Sequence, residues 1–273
     1  MRRWMNNMSR WLMVLLGGLL VLVACVATAS SPSSPGGRPV ASGGAKTQEV
    51  KNSAAEAYLN RGVAYYVKGD LDRAIQNFTK AIELDPRYAD AYYNRGLAYY
   101  RKGDLNRAIE DYNRAIKLNS RYAEAYIGRG IIHSDKDDLD RAIQDFTKAI
   151  ELDPRYVVAY YNRGVAYAQK GDLDRAIRDF TKAIELDPWN SAAYYSRGMT
   201  YAGKNDLNRA IQDYTKAIEL NPRHAEVYFF RGAAYAAKRD FVHAALDLRR
   251  FLELAPNHPL AEDARELLRR MRR

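Results

Sequence analysis

The chain has 273 residues, 47% of them hydrophobic and 28% charged, with a formal net charge of +10. Its single cysteine, Cys25, excludes an internal disulfide. The basic excess does not argue for a nucleic-acid partner, because residues 1–54 hold six basic side chains against one acidic, whereas residues 55–258 are nearly balanced at 32 against 29.

At the N-terminus Arg2, Arg3 and Arg10 occur without an acid, and an apolar run from Trp11 to Cys25 follows. A basic start ahead of a hydrophobic stretch predicts a secretory signal over residues 1–24. Leu22, Val23 and Ala24 directly precede Cys25. This resembles the lipobox of bacterial lipoproteins, and the resemblance implies cleavage before Cys25 with lipid added to its sulfur and new amino group. Two alternatives stay open: an Ala-x-Ala site at residues 27–29 would release a free exported protein, and the uncharged stretch 11–37 is long enough to remain as a membrane anchor. Residues 25–54 are rich in Ser, Gly, Pro and Ala without hydrophobic periodicity, which predicts a flexible tether with a mean span of roughly 30 Å.

A 34-residue unit then repeats six times without a gap, over 55–88, 89–122, 123–156, 157–190, 191–224 and 225–258. A repeat of this length predicts stacked supersecondary units. In the fourth, Tyr160, Gly164 and Tyr167 fall on one face of a first helix, and Ala176, Phe180 and Ala183 on one face of a second. The small residues let the backbones approach while the aromatics fill the space between. Gly69, Gly103 and Gly171 occupy the turn where a left-handed residue is needed, and Asp137, Asn205 and Arg239 stand there in the other units. An Asp follows each time, from Asp70 to Asp240, placed to cap the second helix. Pro86, Pro154, Pro188, Pro222 and Pro256 stop that helix, with Ser120 as the exception. Each unit is predicted to be a helix-turn-helix hairpin. In residues 259–273, Pro259 opens a last helix with Leu260, Ala264, Leu267, Leu268 and Met271 on one face, a capping helix with a basic end.

With a large residue at unit position 4, Gly at 8, Tyr at 11, Ala at 20, Phe or Tyr at 24, Ala at 27 and Pro at 32, the units closely resemble the tetratricopeptide repeat (TPR) family. His133 departs from this at position 11, and Leu248 and Phe251 depart from it in the sixth unit. The resemblance implies an all-α, right-handed superhelical solenoid whose first helices line a concave groove. Carried onto this chain, it places Leu59, Tyr93, Tyr161, Tyr195 and Phe229 (position 5) and Tyr66 and Tyr100 (position 12) in that groove. Position 6 contributes Asn60, Asn94 and Asn162, a broken row that either holds the backbone of an extended peptide or is simply a polar helix face. Positions 5 and 9 also have a competing use in packing between units. The basic clamp by which some TPR proteins hold acidic tails is missing, since position 2 gives Glu56, Asp90, Glu124 and Glu226. Acids near the rim favour a partner with some basic character.

Arg recurs at position 7 in every unit, and Asp stands at position 23 in five of the six, which predicts structural ion pairs in preference to an anion-binding row. The four histidines are scattered, and the sequence has no zinc-protease helix, phosphate loop or nucleophile elbow. The reading is therefore a non-catalytic scaffold or adaptor without cofactor or metal, binding protein or peptide partners and no nucleic acid. It is attached to a membrane through lipid on Cys25 in the bacterial cell envelope, and self-association through the first unit is an open possibility. Replacing Cys25 with Ala and fractionating cells tests the anchor: release of the protein from membranes is expected, and unchanged attachment would instead indicate a transmembrane segment.

Overall fold

The computed structural model describes residues 44–271, and the expected signal, Cys25 with its expected lipid, and most of the expected tether lie outside them. Thirteen helices and no strand occur among the described residues. The chain forms two compact units, one reaching Pro154 and one beginning at Arg155. The first holds three hairpins: α1 (Gly44–Val67) with α2 (Leu71–Leu84), α3 (Ala89–Arg101) with α4 (Leu105–Leu118), and α5 (Ala123–Asp135) with α6 (Leu139–Leu152). The second holds α7 (Val157–Gln169) with α8 (Leu173–Leu186), α9 (Ser191–Gly203) with α10 (Leu207–Leu220), α11 (Ala225–Ala237) with α12 (Phe241–Leu254), and a final helix α13 (Ala261–Met271).

The start of α1 differs from expectation. It begins at Gly44, so residues 44–54, assigned above to the tether, are helical. No proline follows Pro39 until Pro86, and Ala, Lys, Gln and Glu in this stretch are good helix formers, so nothing stops the helix from growing back from its packed half.

The turn chemistry matches the sequence reading. All six turn residues are left-handed, with φ of 80–83° at Gly69, Gly103 and Gly171 and of 61–65° at Asp137, Asn205 and Arg239. Each following Asp accepts a hydrogen bond from the backbone N–H three residues on, as Asp104 does from Arg107. The second helices end before the proline is reached. Asp85, ahead of Pro86, and Asn119, ahead of Ser120, share the same extended backbone (φ −132°, ψ 95° and φ −136°, ψ 95°), so packing fixes this end even where proline is missing.

Within a hairpin the two helices meet at the glycine of position 8. A Cβ on Gly96 would stand 2.8 Å from a ring carbon of Tyr112, and one on Gly164 would stand 2.9 Å from the Phe180 ring. Ala108, Ala115, Ala176 and Ala183 of the second helices are fully buried beside these rings. The close approach brings Arg and Asp together as two-pronged pairs: Arg95 with Asp111 at 2.8 and 2.8 Å, Arg129 with Asp145 at 2.9 and 2.6 Å, and Arg197 with Asp213 at 2.8 and 2.8 Å. Arg163–Asp179 and Arg231–Asp247 repeat them. The remaining guanidinium nitrogen donates to the preceding hairpin, from Arg95 to Thr79, Arg129 to Asn113, Arg197 to Thr181 and Arg231 to Thr215. One side chain thereby ties three helices. The exception is Arg61, whose unit has Asn77 at position 23; it is exposed and lies over the Tyr58 ring at 5.3 Å.

The tyrosine at position 11 has a partner the sequence did not announce. A second arginine, at position 19, lies over its ring: Arg73 over Tyr65, Arg107 over Tyr99, Arg175 over Tyr167 and Arg209 over Tyr201, at 4.4–4.7 Å. Where the sixth unit has His243 instead, it stacks on Tyr235 at 5.1 Å.

Helix α13 continues the pattern by half a repeat. Ala261 and Ala264 are buried and Leu268 is packed against the core, at the spacing of positions 3, 6 and 10 of a first helix. Its other face carries Glu262, Arg265, Glu266 and Arg269, linked to one another by ion pairs.

The Gly96 contact makes a prediction. Alanine ordinarily stabilises a helix interior over glycine by about 1 kcal/mol, but overpacking a core costs about 1–3 kcal/mol. Gly96→Ala is therefore expected to lower stability in denaturant titration, and adding Tyr112→Leu to recover part of the loss. Gly103→Ala, with nothing within 4 Å, should lose about 1 kcal/mol through its left-handed backbone, with no recovery from Tyr112→Leu.

Candidate peptide-binding surface

The first helices place the expected groove residues mainly in the core. Leu59, Tyr93, Tyr161, Tyr195 and Phe229 at position 5 are each no more than 4% exposed. Tyr93 packs its ring 5.9 Å from Tyr112 and 5.0 Å from Tyr122. Tyr161 lies 5.8 Å from Phe180 and shares a hydrogen bond with Ser196 (3.2 Å). Tyr195 meets Tyr214, His224 and Phe230, and Phe229 meets Phe230 and Phe251. A large side chain at position 5 fills the seam between hairpins, so it is closed to a ligand in this conformation.

The asparagine row is closed in the same way. Asn94 and Asn162 are 3% and 2% exposed, and of the three only Asn60 is open. Asn94 donates to the Asp90 carbonyl (2.8 Å), while the Asn162 amide meets no hydrogen-bond partner. The reason lies in packing. A Cβ on Gly128, at the same position, would stand 2.7 Å from the Tyr112 ring of the preceding hairpin, and Phe230 lies 6.5 Å from Tyr214. Position 6 thus faces the ring at position 24 of the hairpin before it, and its size follows that neighbour.

An accessible strip remains at the C-terminal ends of α1, α3 and α5. Tyr100 is half-buried and donates to Asp135 Oδ2 (2.9 Å) on the next hairpin. Burial first, and then the Asp135 carboxylate, push its phenol up from the ordinary value, so it is a neutral donor across the physiological range. Burial raises Asp135 in turn, partly offset by the Tyr100 hydrogen bond. Tyr66 is buried, with the Arg101 guanidinium over its ring at 4.8 Å and donating to its carbonyl at 3.1 Å. Val67 is 68% exposed, and Asn60 and Val63 lie seven and four residues before it on the same helix face. Val67, Arg101 and Asp135, all at position 13, are the members that sequence reasoning did not name.

The rim acids are unequal. Glu56 is exposed and Asp90 and Glu124 are half-buried, whereas Glu226 is held by two histidines, with His224 Nε2 at 3.3 Å and His258 Nε2 at 3.2 Å. His258 Nδ1 accepts from the Leu260 N–H (3.2 Å), which leaves Nε2 as the protonated nitrogen donating to Glu226. The His224 hydrogen bond holds the Glu226 carboxyl below its ordinary value, against the opposing effect of burial. An open depression at the turn of the second hairpin is lined by Lys102, Asp104, Arg107 and Lys136, but these side chains are taken up by bonds to Asp72, one another and Asn106. Among the described residues no group of His, Cys, Asp and Glu is placed to hold a metal, and no helix is long and apolar enough to cross a membrane.

Paired helices tied by an Arg–Asp ladder and stacked through a Gly–aromatic seam define a helical-repeat protein of the protein-interaction class. Sequence profiles described as "TPR repeat" match residues 64–103 and 133–171, and those described as "Tetratricopeptide repeat" match 89–122, 157–190 and 191–224. The chain belongs to the tetratricopeptide repeat family. It is similar to the solved structure of MamA, at 32% identity and a TM-score of 0.56, covering 63% of this chain and 94% of that one. It is also similar to YrrB, described as a TPR protein with an unusual peptide-binding site (28%, TM-score 0.59, 69% and 97% covered). The fold alone is shared with PilF of Pseudomonas aeruginosa (20%, TM-score 0.72, 80% and 99% covered). No curated protein sequence matches.

The Glu226 arrangement sets a pH dependence. A carboxylate whose folded value is depressed contributes stability above its unfolded value and loses that contribution as pH falls through the folded one. Glu226→Gln should therefore lower the unfolding midpoint at neutral pH, by an amount on the order of 1 kcal/mol, with the difference from wild type vanishing in acid. Thermal unfolding of both proteins across the carboxylate range checks this.

Proposed function

We propose that this chain is a non-catalytic adaptor that holds an extended protein or peptide segment against the first-helix face of its N-terminal unit. The observation that carries the reading is the accessible strip of Asn60, Val67, Tyr100, Arg101 and Asp135, where a hydroxyl, a guanidinium and a carboxylate lie beside apolar surface. Amide and hydroxyl groups bond a peptide backbone without reading its side chains, and the acids along the rim, Glu56 exposed and Asp90 and Glu124 half-buried, favour a segment with basic character. The similar TPR protein YrrB, described as having a peptide-binding site, supports a peptide ligand.

The carboxylates at the cap and ladder positions of the repeats are occupied in hydrogen bonds and ion pairs, which supports binding over catalysis. The lipobox-like run ending at Cys25 supports attachment at the outer side of a bacterial cytoplasmic membrane, where such an adaptor would bring together the parts of an envelope complex. A photo-crosslinking residue at Val67, introduced in intact cells, is expected to trap a partner that the double variant Arg101→Glu, Asp135→Lys loses while keeping its helical circular dichroism. Identical adducts from wild type and variant, or from a probe at Gln76 on a second helix, would remove the assignment of ligand to this strip.

A further inference from the structure

We propose that the outer face of α12 is a bilayer-contact surface: Phe241, Val242 and Leu246 enter the interfacial layer of an anionic membrane while Arg239 and Arg249 take its lipid phosphates. The inference rests on this face alone and does not require the Cys25 anchor. In the five preceding hairpins the two outermost positions of the second helix are always polar, as in Asp72 and Gln76 or Asn208 and Gln212. In the sixth they become Val242 and Leu246, which are 72% and 58% exposed beside Phe241 at 43%. The two lie one helical turn apart, and Arg249 stands in the same stripe a further turn along. Side chains this exposed stand clear of neighbours on a ridge, without the walls a groove offers to a peptide. A ridge of that kind suits a soft interface that closes around it.

Charge points the same way. The position of Arg249 holds Thr or Asn in every other unit, and Arg249 and Arg239 are exposed with no acidic partner among the described residues. The acids nearby are occupied: Asp240 caps α12 and bonds His243, and Glu253 is paired with Arg250. The apolar stripe is therefore flanked at both ends by unpaired cations, the pattern that attracts anionic headgroups.

The test uses the full chain with Cys25→Ser and an environment-sensitive fluorophore on Val242→Cys or, as control, on Gln212→Cys, the position equivalent to Leu246 in the fifth hairpin. Vesicles of phosphatidylglycerol and phosphatidylcholine with brominated acyl chains serve as the probe, and pure phosphatidylcholine vesicles as the comparison. Quenching at residue 242 that exceeds residue 212 severalfold, requires phosphatidylglycerol, and falls roughly tenfold in apparent affinity with Leu246→Gln and Arg249→Glu is expected. Equal quenching at both sites would mean adsorption by another part of the chain. No quenching at residue 242, or shielding that grows with protein concentration in the absence of vesicles, would overturn the proposal, the latter in favour of a second copy on this face.

Discussion

The contact between the glycine at position 8 and the ring at position 24 is the constraint from which the rest of the structure follows. With a Cβ excluded at 2.8 Å from Tyr112, the paired helices settle closer than ordinary side chains allow, and alanine flanks the ring on the second helix in the first five hairpins. At that separation an arginine one residue before the glycine reaches the aspartate one residue before the ring with both prongs. Its last nitrogen is then free to bond the hairpin behind it. The ladder is therefore a consequence of the close approach, and its value lies in geometry. An ion pair this far from water contributes modestly in net terms, but removing one partner strands the other charge, at about 3–5 kcal/mol for a fully buried pair.

The same closeness explains why the expected groove aromatics are inside. Rings at position 24 need ring-sized partners, and position 5 supplies them within a hairpin while position 6 supplies them from the next first helix. Tyr93 between Tyr112 and Tyr122, and Phe230 against Tyr195 and Tyr214, are halves of such contacts. Position 6 then varies with what it meets, as Gly128 does against Tyr112, and this produces a broken asparagine row without any ligand. What a partner can reach is the ends of the first helices, where Tyr100 and Arg101 cross to the neighbouring hairpin and leave polar groups at the surface.

Hairpins, turn conformations, caps and the Arg–Asp pairs were legible in the sequence because each depends on neighbours within one repeat, and the repeat shows the first three six times and the pairs five times. The start of α1 was not, since a Ser/Gly-rich stretch grades into good helix formers without a cap to mark the border. Nor was the fate of position 5. Whether a tyrosine on a first helix faces solvent or a seam depends on the separation between hairpins, which periodicity within a repeat does not encode. The stacking of position-19 arginines on position-11 tyrosines was visible in principle, because His243 replaces Arg only where a ring can still stack on Tyr235. Val67, Arg101 and Asp135 escaped notice because position 13 varies from unit to unit.

How the array ends ties these points together. A stack of repeats has no intrinsic stop, since every hairpin offers the next one the surface it received. Here α13 takes the place of a seventh first helix and buries Ala261 and Ala264, but the face that would receive a second helix carries Glu262, Arg265, Glu266 and Arg269 in mutual ion pairs. Arg265, at the ladder position, bonds Glu262 and the Pro256 carbonyl. The Thr or Asn that would accept from it on the preceding hairpin is Arg249, a like charge. The last hairpin has thus lost the groups that continue the stack and is freed from the register the other five obey. That freedom explains how Val242 and Leu246 could become apolar without disturbing a neighbour, and why an exception to the repeat is a stronger sign of function than any residue the repeat shares.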